Sequence, residues 1–499
     1  MDRLAPLPTV IPLVAAALAM LAHRSRWLQR TIAHLALTAA LSFAVALLVH
    51  ADREGPAVAR LGGWSASIGI SYVVDRLSGL LLVVALFTLL AVLVFAEGQR
   101  SKGAESPVFH PVYLVLAAGT GAAFSTGDLF HMFVAYEVLL IASYVLLTLD
   151  GTPAQVRTGT TYAVVNTIES LVLVMAVALV YASTGTLSMA ELPARLAELN
   201  DGVRTGLQLL LLVAFGLKAA VFPLFFWLPD SYPAARSPIT AVFAGLLTKV
   251  GVYSILRTQT LLFADANRTL LLWVAGLTMV VGVLGAIAQN EVKRILSFHI
   301  VSQIGYMILG IAIGGPAAIA ATIFFLLHQI PIKSSLFLVE GMIEHSTGTS
   351  SLDRLSGLVH RSGLLGALFL LPALSLAGIP PFSGFVAKLG IVTSGLAAGE
   401  RVAVALAIGC SLLTLVSMAK IWLGAFWGPA TEPVLRPAGA APDPSAAWRW
   451  PAAMLGSTVA VVLAGLALAV FAGPLYALCE RAAADIADVD AYVRTVLRR

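Results

Sequence analysis

Apolar segments of membrane-spanning length recur along the whole chain and restrict its fold more than any other feature. A helix needs about 20 mainly apolar residues to cross the hydrocarbon core of a bilayer. The chain has about fourteen such segments, at residues 4–22, 31–50, 74–96, 110–126, 129–149, 161–183, 205–228, 238–257, 269–289, 294–313, 317–340, 363–390, 402–427 and 452–472. Because lipid offers the backbone no hydrogen bonds, such segments must be helical. We therefore predict an all-α polytopic membrane protein with about fourteen transmembrane helices, numbered TM1 to TM14 in chain order.

Composition excludes other classes of protein. Hydrophobic residues make up 59% of the chain and charged residues 11%, whereas a soluble domain has about 25% charged residues. Soluble enzymes, secreted disulfide scaffolds and disordered proteins are therefore excluded. The net charge is +5, but no basic run is interleaved with aromatic residues, so we expect no nucleic-acid partner. Cys410 and Cys479 are isolated, which predicts neither a disulfide framework nor a metal site.

The first apolar segment is predicted to be a retained helix. Arg24, Arg26 and Arg30 follow this segment instead of preceding it, which is the wrong order for a cleaved signal peptide. The same basic cluster favours an orientation with the N-terminus outside, because Lys and Arg are enriched in cytoplasmic loops.

The distribution of lysine is the most informative feature for function. Of the seven lysines, Lys102 and Lys293 lie in predicted loops. The other five lie inside apolar segments, deeper than any of the 24 arginines: Lys218, Lys249, Lys333, Lys388 and Lys420. A cation at the bilayer centre costs about 2.5–3.5 kcal/mol or more. Arg stays charged everywhere, whereas a buried Lys can lose its proton, so this choice of residue indicates proton exchange.

Glu137 in TM5 is a matching buried acid. Opposite charges about 4 Å apart attract by about 4 kcal/mol at an effective dielectric constant near 20. A Glu137–Lys218 pair would therefore keep both groups ionised, and separating the two would release a proton from the lysine. The alternative is a static ion pair that joins two helices, which the number of buried lysines disfavours.

Two segments are predicted to be discontinuous. In TM7, Pro223 and Pro229 follow Lys218, and in TM12, Pro380 and Pro381 precede Lys388. Proline removes a backbone donor and frees a carbonyl group, so the helix should break at these sites. Broken helices in corresponding positions of two halves are typical of transporters with inverted repeats.

The spacing of the lysines supports an internal repeat. Lys218 and Lys249 are 31 residues apart and fall in TM7 and TM8, whereas Lys388 and Lys420 are 32 residues apart and fall in TM12 and TM13. A shift by five segments gives the two halves opposite topology. The predicted units are TM1–TM3 at 1–109, a first repeat TM4–TM8 at 110–257, a second repeat TM9–TM13 at 269–427, and a linker, TM14 and polar tail at 428–499.

Further titratable residues extend the candidate site. His328 and Lys333 share TM11, and an imidazole beside a lysine suits proton relay, although a hydrogen-bonded core histidine is the alternative. His299 in TM10 is a weaker candidate of the same kind. Glu169 in TM6 is either another proton site or the partner of a neighbouring subunit.

Other polar residues have structural explanations. Asp75 and Asp128 lie at predicted helix starts, where capping accounts for them. The stretch 429–444 is rich in Pro and Ala, which is typical of a linker. The tail at 480–499 is an amphipathic surface helix or, more commonly, a solvated terminus.

Four stretches resemble a known family of transporters. They are HPVYLVLAAGTGAAFSTGDLFHMFVAYEVLLIASYVLL, FGLKAAVFPLFFWLPDSYPAARSPITAVFAGLLTKVGVY, NEVKRILSFHIVSQIGYMILG and LAGIPPFSGFVAKLGIV. Over roughly residues 5–475 the chain resembles the D-type subunits of the Mrp-type multisubunit Na+/H+ antiporters, which are similar to the antiporter-like proton-pumping subunits of respiratory complex I. The resemblance implies that the key acid of TM5 is Glu137 and that the lysines of TM7, TM8, TM11 and TM12 are Lys218, Lys249, Lys333 and Lys388.

The chain departs from the family pattern at two positions. His131 stands where the GDLF motif usually continues with Asn, and Glu169 stands where TM6 usually has a small polar residue. Both departures leave the main relay intact, but they bear on how protons enter it.

The predicted function is proton translocation along a polar axis at mid-membrane. The axis comprises Glu137, Lys218, Lys249, His328, Lys333 and Lys388, with Lys420, Glu169 and His299 as further candidates. The resemblance implies coupling to sodium export within a hetero-oligomeric Mrp complex of the bacterial inner membrane, which makes the chain a secondary transporter subunit and not an enzyme. The sequence has no nucleotide-binding motif, haem-ligand set or CxxC cluster, so we expect no cofactor and an ion gradient as the energy source.

Two other functions fit the same helices. One is a redox-driven proton-pumping subunit of complex I or of a membrane-bound hydrogenase, which iron–sulfur subunits encoded nearby would indicate. The other is a non-transporting scaffold of such a complex, and the intact set of buried lysines argues against it.

Overall fold

Helices make up almost all regular structure in the computed structural model, which describes residues 1–65, 69–99, 106–264, 267–428 and 450–497. The first half contains α1 (Leu7–Leu21), α2 (Arg26–Arg53), α3 (Arg76–Gln99), α4 (Phe109–Ser125), α5 (Leu129–Leu147), α6 (Pro153–Thr184), α7 (Leu192–Ala197), α8 (Asp201–Ala219), α9 (Leu228–Ser231), α10 (Ser237–Val242) and α11 (Thr248–Leu261). The second half contains α12 (Arg268–Ala288), α13 (Val292–Ile313), α14 (Gly315–Thr347), α15 (Leu358–Arg361), α16 (Gly363–Ala377), α17 (Ser383–Ala397), α18 (Arg401–Ile421), α19 (Ala452–Val470), α20 (Ala472–Ala487) and α21 (Val489–Leu497). Lys102 and the predicted linker at 429–444 lie outside the described residues.

A small β-hairpin is the one strand pair among the described residues, and the sequence did not predict it. Strands β1 (Ala57–Arg60) and β2 (Ser71–Val74) pair antiparallel between α2 and α3. The hairpin lies in a stretch that the sequence analysis left without structure.

The predicted transmembrane segments are confirmed. Twelve helical segments in the described part of the chain are long and apolar enough to cross a membrane. The shorter apolar helix α4 corresponds to the predicted segment 110–126, and α16 with α17 fills the predicted segment 363–390. Each of the fourteen predicted segments therefore has its helix or pair of half-helices.

The two predicted helix breaks are also present. Helix α8 ends at Ala219 because Ala220 adopts a left-handed conformation with φ of 59°, and Pro223 follows before the short helix α9 begins. Helix α16 ends at Ala377, because Gly378 adopts a left-handed conformation with φ of 86°, and α17 begins only at Ser383 after two prolines. TM7 and TM12 are therefore discontinuous. The inverted repeats and their boundaries remain a prediction.

Three spans form the centre of the bundle. TM8 consists of α10, a π-helical turn at Phe243–Leu247 and α11, and its most apolar window is completely buried. The corresponding buried share is 94% in TM10 and 83% in TM11, but only 33% in TM13 and TM14. Polar side chains on TM8, TM10 and TM11 therefore face protein and not lipid.

Lys293, which the sequence analysis placed in a loop, is buried in a helix, and so is Arg257. Lys293 lies in the first turn of α13, 2.6 Å from Glu344. Arg257 lies in α11, 2.7 Å from Asp75, and both side chains are at most 5% exposed. Asp75 still caps α3, because it accepts a hydrogen bond from the Ser78 amide. The expectation that no Arg lies deep in the bundle is wrong, since a carboxylate makes the burial of Arg257 tolerable.

The C-terminal segment is packed on the bundle and is not a solvated tail. Arg76 of α3 donates a 2.7 Å hydrogen bond to Asp485 of α20. Arg60 donates to the Val496 carbonyl group in α21 at 2.7 Å. Tyr492 is buried, with its ring centroid 5.8 Å from the guanidinium of Arg257. Helices α20 and α21 therefore fasten the end of the chain to α3 and α11.

Candidate functional site

Lys218 at the TM7 break pairs with Glu169 in TM6. Its Nζ lies 3.3 Å from Glu169 Oε2, and both side chains are 2% exposed. It also donates to Asn166 Oδ1 at 3.4 Å and lies 5.3 Å from the ring centroid of Tyr136. The predicted direct pair with Glu137 is wrong, because these two residues are not among the ion pairs of the described residues. Glu169 has its partner within this chain.

Glu137 lies next to this pair. The Ser170 hydroxyl group, one residue after Glu169 in α6, donates a hydrogen bond to Glu137 Oε1. Glu137 interacts electrostatically with both Glu169 and Lys218, and it is partly exposed on the surface of α5. Two carboxyl groups therefore share one ammonium group, so the cluster contains one more acid than base and is suited to take up a proton.

Lys249 lies directly after the π-helical turn of TM8. Its Nζ donates to the Ala244 carbonyl group at 2.5 Å and to Thr248 Oγ1 at 3.4 Å. A π-turn leaves carbonyl groups outside the regular helical hydrogen-bonding pattern, and here one of them binds the ammonium group. Lys249 is 1% exposed and has no carboxylate among its hydrogen-bond partners in the described residues.

TM7 and TM8 touch between Lys218 and Lys249. A Cβ atom at Gly251 would lie 2.5 Å from the Ala219 amide nitrogen and 3.0 Å from the Lys218 carbonyl carbon. Only glycine allows this approach, which brings the end of α8 against α11. Through this backbone contact, the part of the axis at Lys218 adjoins the central span TM8.

Lys333 and His328 lie at the centre of the bundle on α14. Both side chains are completely buried. His328 Nδ1 is 2.9 Å from Ser383 Oγ at the start of α17. Lys333 Nζ and His328 Nε2 have no hydrogen-bond partner among the described residues. Buried polar atoms in native proteins are bonded to protein or to ordered water, so we expect water at this point of the axis.

The ammonium group of Lys388 binds carbonyl groups at the break in TM12. Its Nζ donates 3.0 Å hydrogen bonds to the carbonyl groups of Leu376 and Ala377, at the end of α16, and to Ser411 Oγ. The ammonium group also lies 5.0 Å from the ring centroid of Tyr306. The carbonyl end of a helix attracts cations, so the break itself provides the binding site for the charge.

Electrostatic interactions link the lysines in a row. Lys333 interacts electrostatically with both Lys249 and Lys388, and His328 interacts with Lys333 and Lys388. Like charges that interact disfavour simultaneous protonation. A proton that arrives at one of these groups therefore promotes release from its neighbour.

His299 and two glutamines add polar atoms beside this row. His299 Nε2 is 2.8 Å from Ser417 Oγ in α18, and its Nδ1 has no partner among the described residues. Gln329 Nε2 donates to Gln303 Oε1 at 3.4 Å. His299 also interacts electrostatically with Lys333 and Lys388, which places it beside the axis.

Lys420 is separate from the axis. It is partly exposed, and its Nζ donates to the carbonyl groups of Ile287 and Gln289 at 2.9 and 2.7 Å and to Asn290 Oδ1 at 3.0 Å. These acceptors lie at the C-terminal end of α12. Lys420 therefore stabilises a helix end, and its predicted place among the deeply buried lysines is wrong.

Asp128 and His131 lie at the start of α5, in the TM5 motif that departs from the family pattern. Asp128 caps α5 by accepting a 2.8 Å hydrogen bond from the His131 amide, as predicted. Burial raises the pKa of the Asp128 carboxyl group to about 6. The His131 ring contacts Tyr72 and Thr126 at 3.2 and 3.0 Å. Both residues are thus accounted for by local hydrogen bonds.

The arrangement can bind and pass protons, and several of its polar members were missed from the sequence. These are Asn166, Ser170, Ser383, Ser411, Ser417 and Gln329. An uncharged polar residue in a helix is not by itself a functional signal, so only its neighbours in the fold reveal its role. In the described part of the chain, no group of three or more His, Cys, Asp or Glu side chains is arranged to hold a metal ion.

The chain is similar to proteins of known families and structures. The model of the family described as NADH:quinone oxidoreductase/Mrp antiporter, TM, matches residues 126–414. The D-type Na(+)/H(+) antiporter subunit of Alkalihalophilus pseudofirmus is 42% identical over 432 residues, which cover 86% of this chain and 88% of the relative. A chain in the structure of the Mrp complex from Dietzia sp. DQ12-45-1b is 34% identical, with a TM-score of 0.92 over all of both chains. A chain of the membrane-bound sulfane sulfur reductase, an archaeal respiratory membrane complex, is 25% identical, with a TM-score of 0.88 over 99% of each chain.

Proposed function

Because the chain belongs to the NADH:quinone oxidoreductase/Mrp antiporter transmembrane family, we propose that it is a proton-translocating subunit of a multisubunit Na+/H+ antiporter. It carries protons along the buried axis and uses the proton gradient to drive sodium export. Its relative in Alkalihalophilus pseudofirmus bears the name of such a subunit, and the matched Dietzia chain is part of an Mrp complex. The chain therefore acts in the bacterial inner membrane together with other subunits of the complex.

The row of buried lysines carries this proposal. Lys218, Lys249, Lys333 and Lys388 are at most 6% exposed, and three of them have no carboxylate partner among the described residues. A buried cation without a counter-ion is costly, and a lysine avoids that cost by releasing its proton. Such residues persist where proton exchange is the function.

The acid cluster supplies the driving interaction. While Glu137 and Glu169 are both ionised, Lys218 is held in its charged form. When a carboxyl group takes up a proton, this stabilisation weakens and the lysine can pass its proton on. The like-charge interactions among Lys249, Lys333 and Lys388 then move protonation stepwise towards TM12. At the end of the axis, the carbonyl groups at the TM12 break bind the charged ammonium group of Lys388.

The broken helices support the proposed repeats. Lys218 lies in the last turn of α8, and Lys388 binds the last carbonyl groups of α16. Each lysine thus lies at or contacts the C-terminal end of a half-helix, and Lys388 also binds the carbonyl groups there. This common arrangement agrees with two inverted units, TM4–TM8 and TM9–TM13.

The redox-driven alternative has less support. The respiratory reductase chain is 25% identical, compared with 34% for the Mrp chain and 42% for the antiporter subunit. We therefore assign the chain to a secondary transporter and not to an enzyme.

Reconstitution tests the proposed function. We expect the complete complex in vesicles to exchange sodium for protons, and the purified single chain to show no robust sodium-dependent proton flux. The reason is that the described residues contain no cluster of acidic oxygens suited to a hard cation. A proton-sensitive dye inside the vesicles reports both results. Rapid sodium-dependent proton flux by the single chain would contradict the prediction that the other subunits are needed. A complete complex without antiport would overturn the proposed function.

A further inference from the structure

A second buried charge cluster lies where TM8 and TM10 begin and TM11 ends. Lys293 Nζ is 2.6 Å from Glu344 Oε2 and 3.9 Å from Glu340 Oε2. The Ser237 hydroxyl group is 3.0 Å from a carboxylate oxygen of each glutamate. The Glu344 side chain is 37% exposed, whereas that of Glu340 is 1% exposed. The cluster therefore extends from the surface into the bundle.

The cluster contains more carboxylate groups than its one ammonium group can neutralise. Glu340 interacts electrostatically with Lys293, Glu344 and Glu291, and Lys293 interacts with all three acids, so three acids interact with one ammonium group. Ser237 has one hydroxyl proton and can donate it to only one carboxylate at a time. Glu340 Oε1 is buried and has no hydrogen-bond partner among the described residues. A proton on one of the carboxyl groups would relieve the excess charge and supply the missing donor.

Glu340 is aligned with the central lysine of the axis. It follows Lys333 by seven residues on α14, so both side chains lie on the same helix face. The distance along the helix is about 10 Å. Phe337 lies between them on this face and is completely buried.

Polar atoms on the facing TM8 continue from the cluster to Lys249. Ser237 begins this span, and the Ala241 carbonyl group one turn later accepts a 3.0 Å hydrogen bond from Ser334 of α14. The Ala244 carbonyl group, in the π-helical turn, binds Lys249 Nζ. Hydroxyl and carbonyl groups therefore follow one another along TM8 between Glu340 and the two central lysines, Lys249 and Lys333.

We propose that Glu340 is a proton-binding site that loads the central part of the axis from the membrane surface. Glu344 exchanges protons with water at the surface. Glu340 accepts a proton to form a carboxylic acid, and then releases it through the hydroxyl groups of Ser237 and Ser334 and intervening water towards Lys249 and Lys333. The carboxyl O–H bond breaks at the start of this relay, and an N–H bond forms at its end on a lysine that is neutral beforehand. This proposal rests on the proposed proton-translocating function. The structural alternative is that Glu340 only neutralises Lys293.

Glu340→Gln tests the proposal in the complete complex reconstituted in vesicles. The amide keeps the size of the side chain and its bond to Ser237 but cannot exchange a proton. We expect antiport to fall by at least about tenfold, since proton transfer by a positioned group contributes this much or more, while a blue-native gel shows normal assembly. Glu340→Asp should recover part of the rate and shift its pH profile, which a purely structural carboxylate would not do.

A double variant separates the proton site from the structural alternative. If Glu340 only balances Lys293, then Glu340→Gln combined with Lys293→Met removes both charges and should restore antiport and assembly. The proposal expects a stably assembled complex that remains slow. Restored antiport in the double variant, or normal antiport in Glu340→Gln, overturns the proposal.

A parallel variant distinguishes this proposal from the proposed function itself. Glu137→Gln alters the TM5 end of the axis, away from its central part. Loss of antiport in Glu137→Gln together with normal antiport in Glu340→Gln would exclude only the role of Glu340 as a loading site. Normal antiport in both variants would exclude the proposed proton axis as well.

Discussion

Replacing Lys218 with Arg is expected to stop most sodium/proton exchange by the complete complex while folding and assembly persist. In the structure Lys218 pairs with Glu169 at 3.3 Å, and a guanidinium group can replace the ammonium group in such a pair. Arg does not deprotonate in proteins, so Lys218→Arg preserves the charge and removes the proton exchange. Assembly is checked on a blue-native gel before flux is measured, because the larger side chain can disturb packing.

Lys420→Arg is the matched control for this variant. Lys420 is partly exposed and donates to carbonyl groups at the end of α12, which a guanidinium group can also bind. We expect this substitution to leave antiport unchanged. If the Lys218→Arg complex assembles and still exchanges ions at close to the wild-type rate, the lysine is a static ion-pair partner and not a proton relay.

The positions of the axis residues could be predicted because a charged side chain within an apolar run is visible in sequence. Lys218, Lys249, Lys333 and Lys388 were found in this way. Lys420 was misplaced because it lies near the end of its span, where a long side chain can reach polar groups at the helix terminus. Depth in the bilayer depends on where a helix ends, and sequence gives such boundaries only to within a few residues.

The partner of Lys218 could not be predicted. Glu137 and Glu169 lie in neighbouring helices, and both are plausible by hydropathy alone. Their distances from the lysine depend on how α5 and α6 rotate and cross beside α8. Side-chain packing between helices determines this rotation, and one sequence does not reveal it. The breaks in TM7 and TM12, by contrast, follow from local proline and glycine chemistry and were predicted correctly.

The Lys293 cluster was missed for a similar reason. Lys293 and Glu344 lie just outside their predicted segments, and Glu340 is the last residue of its segment. Charged residues at such positions usually face water. In the structure α13 begins two residues before the predicted segment, and α14 continues seven residues beyond it. Burial of the cluster results from this extension, since the extra turns pack against α10.

Glu137→Gln is expected to nearly abolish transport by the complete complex while assembly persists. The Lys218–Glu169 pair remains in this variant, and the amide can still accept the hydrogen bond of Ser170. The ionic contact between the helices is therefore retained. The lost property is the second carboxyl group, which takes up the proton and changes the stabilisation of the Lys218 charge.

Glu169→Gln provides the contrast for Glu137→Gln, because it removes the direct partner and leaves the buried Lys218 with only Glu137, which makes no ion-pair contact with it, as a countercharge. Breaking a buried ion pair in this way costs about 3–5 kcal/mol, so this variant should lose stability as well as transport. Thermal unfolding of the purified complex and flux in vesicles separate the two effects. A Glu137→Gln complex that exchanges ions normally would show that this acid is structural, and a Glu137→Gln complex as unstable as Glu169→Gln would show that its carboxylate contributes to holding the helices together.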